Sequence, residues 1–155
     1  MSETTRVVIV GGGMAGARLA RTLGAARALA VTVVAQEQHP AYNRVLLAEV
    51  VAGRYPAEVI ALPSAGPAVT WRGGLSATVL DRERRLVRCA DGTELPYDVL
   101  VLATGSEPVA APPTEPEGGR GGQPPAGVHP LRTLDDAHAV AGAAGPGVRA
   151  VVVGG

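Results

Sequence analysis

The sequence predicts an α/β fold built on a parallel sheet, and three observations carry that prediction. The run Arg6-Val7-Val8-Ile9-Val10 is β-branched and lacks polar alternation, the mark of a strand buried on both faces. It stops at Gly11-Gly12-Gly13, where the pattern changes to helical spacing. A second run, Val31-Thr32-Val33-Val34, then follows. Strand, glycine turn, helix and strand thus fit within the roughly thirty residues of one βαβ unit.

The elements follow in order. Over residues 14–29, Ala15, Leu19, Ala20, Leu23 and Ala26 recur at helical spacing, while Arg18, Arg21 and Arg27 can reach water. Residues 42–52 carry Val45, Leu46, Leu47, Val50 and Val51, a short helix ended by Gly53. Residues 69–71 and 75–80 are strand material, 81–85 a charged turn, and Leu86-Val87-Arg88-Cys89 a further strand. Ala90-Asp91-Gly92-Thr93 reads as a hairpin turn, because Asp-Gly tolerates positive φ. Residues 69–93 together predict an antiparallel hairpin crossing over the first unit. Residues 97–103 predict another buried strand, ending in Thr104-Gly105.

The remainder changes character. Twelve of the twenty-five residues from 106 to 130 are Gly or Pro, which predicts a flexible, extended surface segment. Residues 135–144 form a short Ala-rich helix with Thr133 as its N-cap. Residues 148–153 predict a new buried strand, and Val151-Val152-Val153-Gly154-Gly155 repeats the grammar of Val8-Ile9-Val10-Gly11-Gly12. The expected organisation is a nucleotide-binding domain over 1–109, a Gly/Pro-rich linker over 110–130, and the incomplete start of a second such domain over 131–155. The sequence reads as the front part of a longer protein.

Composition excludes several classes of function. With 155 residues, 46% hydrophobic and 18% charged, the chain can build a packed core. Fourteen basic residues balance fourteen acidic ones, so a general electrostatic grip on nucleic acid or anionic lipid is not expected. All the basic residues are Arg, which removes a Schiff-base or P-loop lysine. Phe is absent and Trp occurs once, leaving no stacking platform for single-stranded nucleic acid. No apolar run is long enough to span a bilayer and no export signal is evident, so a cytoplasmic location is expected. One cysteine, Cys89, permits no intrachain disulfide. It reads as a structural thiol. His39, His129 and His138 are scattered without metal-ligand spacing and read as surface residues.

Gly11-x-Gly13-x-x-Gly16, set between a buried strand and a helix, is the dinucleotide fingerprint of a Rossmann-like unit. Gly11 permits the tight turn, Gly13 lets the backbone approach a diphosphate, and Gly16 lets the helix pack on the strand. The amides that open the helix, those of Met14 and Ala15 among them, then face two phosphates. The fingerprint calls for an acidic residue roughly 20 positions on. The usual place is Ala35; Glu37 lies two residues later and is the candidate ribose ligand. Positions 35–37 hold no Arg, which argues against a 2′-phosphate there.

Two further segments extend this reading: Tyr42-Asn43-Arg44 with Leu46-Leu47 and Ala52-Gly53, and Leu102-Ala103-Thr104-Gly105-Ser106-Glu107-Pro108. With the glycine fingerprint and Leu131-Arg132-Thr133-Leu134-Asp135-Asp136-Ala137, they resemble the pyridine nucleotide–disulfide oxidoreductase superfamily of flavoproteins. Within it, the chain is most similar to the FAD domain of NAD(P)H-dependent nitrite reductase large subunits and assimilatory nitrate reductase electron-transfer subunits. The relatives serving ferredoxin or rubredoxin are close behind. The resemblance implies a Rossmann-like FAD-binding domain, with a parallel sheet and an antiparallel β crossover, truncated at the start of a second Rossmann-like NAD-binding domain. It implies that Gly11, Gly13 and Gly16 bind the FAD diphosphate, Glu37 the adenosine ribose, Arg44 the cofactor phosphates and the Val79 backbone the adenine. Ala103, Thr104 and Gly105 would approach the cofactor from the later strand.

The implied activity is an oxidoreductase relay from NAD(P)H through FAD to an acceptor with a metal centre: iron–sulfur, sirohaem or rubredoxin-like. No catalytic side chain is implied in this segment. Two departures from the family pattern stand out. The superfamily's redox cysteine pair is missing, and Glu49 stands where ferredoxin-reductase-like relatives carry a lysine. The resemblance also implies that later segments close the FAD site, so this chain alone is expected to bind FAD weakly or not at all. The alternatives are a non-catalytic nucleotide-binding module and an inactive fragment.

Overall fold

A computed structural model describes residues 4–108 and 126–154. The chain divides into two compact units, residues 1–43 with 61–105 and residues 44–60 with 106–155.

The first unit is a layered α/β structure. Its main sheet holds β1 (Thr5–Val10), β2 (Leu29–Ala35), β3 (Val69–Gly73) and β7 (Val99–Leu102) in the order β3-β2-β1-β7, and every pairing is parallel. A second, antiparallel sheet holds β4 (Ala77–Asp81), β5 (Leu86–Cys89) and β6 (Glu94–Pro96).

Strand pleating sends successive side chains of β1 to opposite faces, and the two cores follow from this. Val7 and Ile9 join Val31, Val33, Val69 and Ala20, with Leu19 and Leu23 of the first helix, α1 (Met14–Leu23), packed against them. Val8 joins Val34, Val87, Cys89 and Tyr97, beneath the antiparallel sheet. The expected crossover therefore covers one face of the parallel sheet, and β1 is buried on both sides as its composition requires.

An ion pair locks the register of the outer strand. The Asp98 carboxylate accepts from the backbone N–H of Arg6 at 2.8 Å and from its guanidinium at 2.7 and 3.0 Å. The Asp98 N–H donates back to the Arg6 carbonyl at 2.9 Å. These bonds bring Asp98 from the ordinary 3.8 down to about 2, the Arg6 side-chain hydrogen bond contributing most. A carboxylate whose pKa is lower in the folded chain contributes stability above its unfolded pKa and loses it as pH falls through the folded value. Asp98→Asn should therefore flatten the part of the acid-unfolding curve lying between pH 3.8 and about 2. An unchanged slope there in a circular-dichroism titration would remove Asp98 from that account.

The structure corrects several sequence expectations. Residues 69–71 do not join the antiparallel hairpin; as β3 they extend the parallel sheet beside β2. An apolar run of this length suits either sheet, and the hydrogen-bond partner decides. The first helix stops at Leu23 instead of running to 29, because the chain turns at Gly24 to feed β2. Residues 97–103 are not buried throughout: β7 is an edge strand of the sheet, and Leu102 is 63% exposed. Residues 148–153 form no strand among the described residues, and Val151, Val152 and Val153 are exposed. A strand needs a ladder partner, and no described segment pairs with this one. The short strand β6 had no sequence signal beyond the turn before it.

In the second unit, the segment expected as one helix opens with a 3-10 turn (Arg44–Leu46) and continues as α2 (Leu47–Val51). The later helix, α3 (Leu134–Ala143), starts at the expected cap: Thr133 and Asp136 form a reciprocal capping box. Helices α2 and α3 pack on each other, and Leu47, Val50, Ile60, Leu134 and Ala137 are buried. Most of the Gly/Pro-rich segment lies outside the described residues. No helix among the described residues is long and apolar enough to cross a membrane.

Candidate nucleotide-binding site

The sheet order reverses at β1: β2 and β3 lie to one side and β7 to the other. In an open α/β sheet, the crevice beyond the carboxyl ends of the strands at such a reversal is where ligands bind. Here β1 ends in the glycine turn and β7 ends in Ala103-Thr104-Gly105.

Contacts bring these two segments together. Gly11 has φ +113°, and a Cβ on it would lie 2.5 Å from the Ala103 carbonyl carbon and 3.0 Å from the Thr104 nitrogen. The Gly11 N–H donates to the Val34 carbonyl at 2.8 Å, and the Ala103 N–H donates to the Val10 carbonyl at 2.8 Å. Gly16 is buried, and a Cβ there would strike the Gly11 carbonyl group. Residues more than ninety positions apart thus share one backbone-to-backbone contact, which only glycine permits.

Helix α1 opens out of this turn with Gly13 as N-cap. It has no side-chain cap and no acidic residue in its first turn. Gly13 is half-buried, and Met14 and Ala15 are exposed. The first-turn amides therefore have no side-chain acceptor among the described residues, and their partial positive charge has no local counter-charge. That arrangement suits an anion, and its chemistry fits the diphosphate of a dinucleotide.

Glu37 follows the end of β2, half-buried, and its carboxylate accepts from the Tyr42 hydroxyl at 2.6 Å. Ala35, the usual acidic position, is buried against the turn: a Cβ on Gly12 would collide with the Ala35 methyl and lie 2.9 Å from the Trp71 ring. The close approach of Gly12, and the Tyr42 partner of Glu37, carried no sequence signal of their own, since both depend on segments distant in the chain or across a loop.

The other expected residues lie elsewhere. Val79 sits on β4 of the antiparallel sheet, half-exposed, next to a register shift after Ala77. Arg44 belongs to the second unit, where its guanidinium donates to the Arg132 carbonyl at 2.7 Å. The Asp136 carboxylate there accepts from the Arg132 and Thr133 N–H groups at 2.9 and 2.7 Å. Glu49 is ion-paired with Arg54, and the Arg54 hydrogen bond lowers its pKa.

Cys89 is a free, buried thiol whose pKa is raised, chiefly by burial. The thiolate needed for redox exchange is thereby disfavoured. His129 and His138 are exposed and His39 is half-buried. Among the described residues, no group of three His, Cys, Asp or Glu could hold a metal ion.

Comparison with known proteins agrees with this geometry. The family described as pyridine nucleotide-disulphide oxidoreductase matches residues 5–155. The chain is 38% identical over 165 residues to the probable ferredoxin reductase CtmF of Castellaniella defragrans, a match covering 100% of this chain and 38% of that protein. It is 41% identical over 130 residues to the NAD(P)H nitrite reductase large subunit of Klebsiella oxytoca, covering 81% of this chain and 13% of that one. The chain therefore spans well under half the length of these relatives. Among solved structures, Fdr9 superposes with a TM-score of 0.70 at 33% identity, covering 89% of this chain and 33% of that one. The covalent putidaredoxin reductase–putidaredoxin complex gives a TM-score of 0.71 at 26% identity, covering 91% and 34%. With its parallel sheet, its uncapped glycine turn and a family match along almost its whole length, the chain belongs to the pyridine nucleotide-disulphide oxidoreductases, enzymes that work with FAD and NAD(P)H.

Proposed function

We propose that this chain forms the FAD-binding part of an oxidoreductase that carries electrons from NAD(P)H through FAD to an acceptor with a metal centre. The observation that carries the reading is the meeting of the uncapped glycine turn with Ala103-Thr104-Gly105 at the carboxyl end of β1. When bound, the flavin supplies the redox chemistry, and the protein supplies position and polarity.

The residues divide the binding work as follows. Gly11, Gly13 and Gly16 keep Cβ atoms out of the turn, and the amides of Gly13, Met14 and Ala15 donate to the diphosphate. Glu37 accepts from the ribose hydroxyls. Ala103, Thr104 and Gly105 line the approach from β7, and the Val79 backbone meets the adenine. Arg44 supplies a cation to the phosphates; this role rests on the sequence match. Residues 1–109 form the FAD domain, 110–130 link it onward, and 131–155 begin an NAD(P) domain.

The acceptor we favour is of the nitrite or nitrate reductase kind, an iron–sulfur or sirohaem centre. Glu49, paired with Arg54, supports it, since this position offers no cation. The second reading is a ferredoxin- or rubredoxin-type acceptor, supported by the names of the ferredoxin reductase and putidaredoxin reductase relatives. The location is cytoplasmic, with the NAD(P)H pool as electron source.

The test is anaerobic mixing of the FAD-reconstituted whole oxidoreductase, metal centre included, with NADH or NADPH while the visible flavin absorption is followed. Bleaching, and its reversal by nitrite or by an oxidised ferredoxin, supports the reading and separates the two acceptors. A whole oxidoreductase that stays colourless after reconstitution overturns it; a colourless isolated chain does not, since later segments are expected to close the FAD site.

A further inference from the structure

We propose that Tyr42 is a positioning residue, whose hydroxyl holds the Glu37 carboxylate in the orientation that receives the adenosine ribose. The inference rests on the proposed role of Glu37.

The Tyr42 ring is buried, 4% exposed. A buried phenol needs a hydrogen-bond partner, and this one donates to Glu37 Oε2 at 2.6 Å. That length is in the range of a charge-assisted O–H···O⁻ bond.

The two ends of this bond are anchored independently. Tyr42 forms a backbone bridge with Ala61, and the Leu62 N–H donates to the Ala41 carbonyl at 2.7 Å. The ring therefore cannot follow a carboxylate that swings. Glu37 is fixed at its own backbone, where its carbonyl accepts from the Gly74 N–H at 3.1 Å. Between these anchors lie the rotatable bonds of a glutamate side chain, and the phenol restrains them.

A carboxylate has about four acceptor sites on two oxygens, so a bond from Tyr42 to one oxygen does not saturate it. It sets the plane in which the carboxylate meets a diol. Ordering a flexible side chain before binding removes a cost of about 0.5–1.5 kcal/mol, equivalent to about two- to tenfold in affinity.

The experiment is a double-mutant cycle on the FAD dissociation constant of the holoenzyme, using Tyr42→Phe, Glu37→Ala and the pair. Tyr42→Phe keeps the buried ring and removes only the hydroxyl. It should raise the dissociation constant about fivefold in the wild-type background and by less than about twofold in the Glu37→Ala background. Two results overturn the proposal: Tyr42→Phe has no effect while Glu37→Ala weakens binding, or the two losses multiply in full, as a purely structural tyrosine would make them. If Glu37→Ala itself leaves affinity unchanged, the reading of Glu37 fails, and that outcome is distinct from the other two.

Discussion

Gly11→Ala should abolish FAD binding and destabilise the fold by about 3 kcal/mol or more. Two costs combine at this position. The backbone has φ +113°, a region that L side chains rarely adopt. A Cβ would also drive into the Ala103 carbonyl group, which is backbone and cannot rotate aside. The turn has no freedom to withdraw, because Gly11 is bonded to Val34 on one flank and Ala103 to Val10 on the other. The strain can be released only by parting β1 from β7, and that opens the crevice in which the diphosphate would sit.

Gly92→Ala is the matched comparison. It too has positive φ, +84°, but nothing lies within 4 Å of its Cβ position. It should cost only the backbone term, about 1–2 kcal/mol, and leave FAD affinity unchanged. Guanidinium unfolding of both variants, and flavin titration of each in the whole oxidoreductase, measure the difference. Equal effects would mean that the Gly11–Ala103 contact contributes nothing.

Glu37→Arg should lower FAD affinity about a hundredfold while leaving the chain folded. A carboxylate accepts from both ribose hydroxyls, whereas a guanidinium has five donors and no acceptor. Hydrogen bonds to a charged group are each worth about 1.5–3 kcal/mol, and one such loss already approaches a factor of a hundred. The Tyr42 hydroxyl also loses its acceptor. Glu37 is only half-buried, so the longer side chain can turn outward and the sheet is spared. Calorimetric titration of the whole oxidoreductase against FAD, with thermal unfolding as a check on the fold, reads both parts. Unchanged affinity would take Glu37 out of the binding site.

What was legible in the residues is local. β1, the start of α1, β5 and the Thr133 cap each announce themselves through burial pattern, turn chemistry or capping within a few positions. The glycine spacing carries its purpose with it, because a dinucleotide turn needs small residues at fixed offsets whatever surrounds them. What was not legible depends on partners. Residues 69–71 suit a parallel or an antiparallel neighbour equally well. Residues 148–153 share the grammar of β1, yet no described segment pairs with them, and they stay exposed. Spacing alone points to Ala35, which carries no carboxylate, so the reading falls to Glu37 two positions on; the packing of Ala35 against Gly12 is visible only in the structure.

The amino-acid order by itself determined the fold class, the nucleotide turn and the family resemblance, since these rest on short-range periodicity and spacing. Only the tertiary structure decided that Gly11 abuts Ala103, that Tyr42 bonds Glu37 and that β3 joins the parallel sheet. The physical reason is that periodicity sets which faces of a segment are apolar, whereas pairing depends on which other segment arrives to cover them.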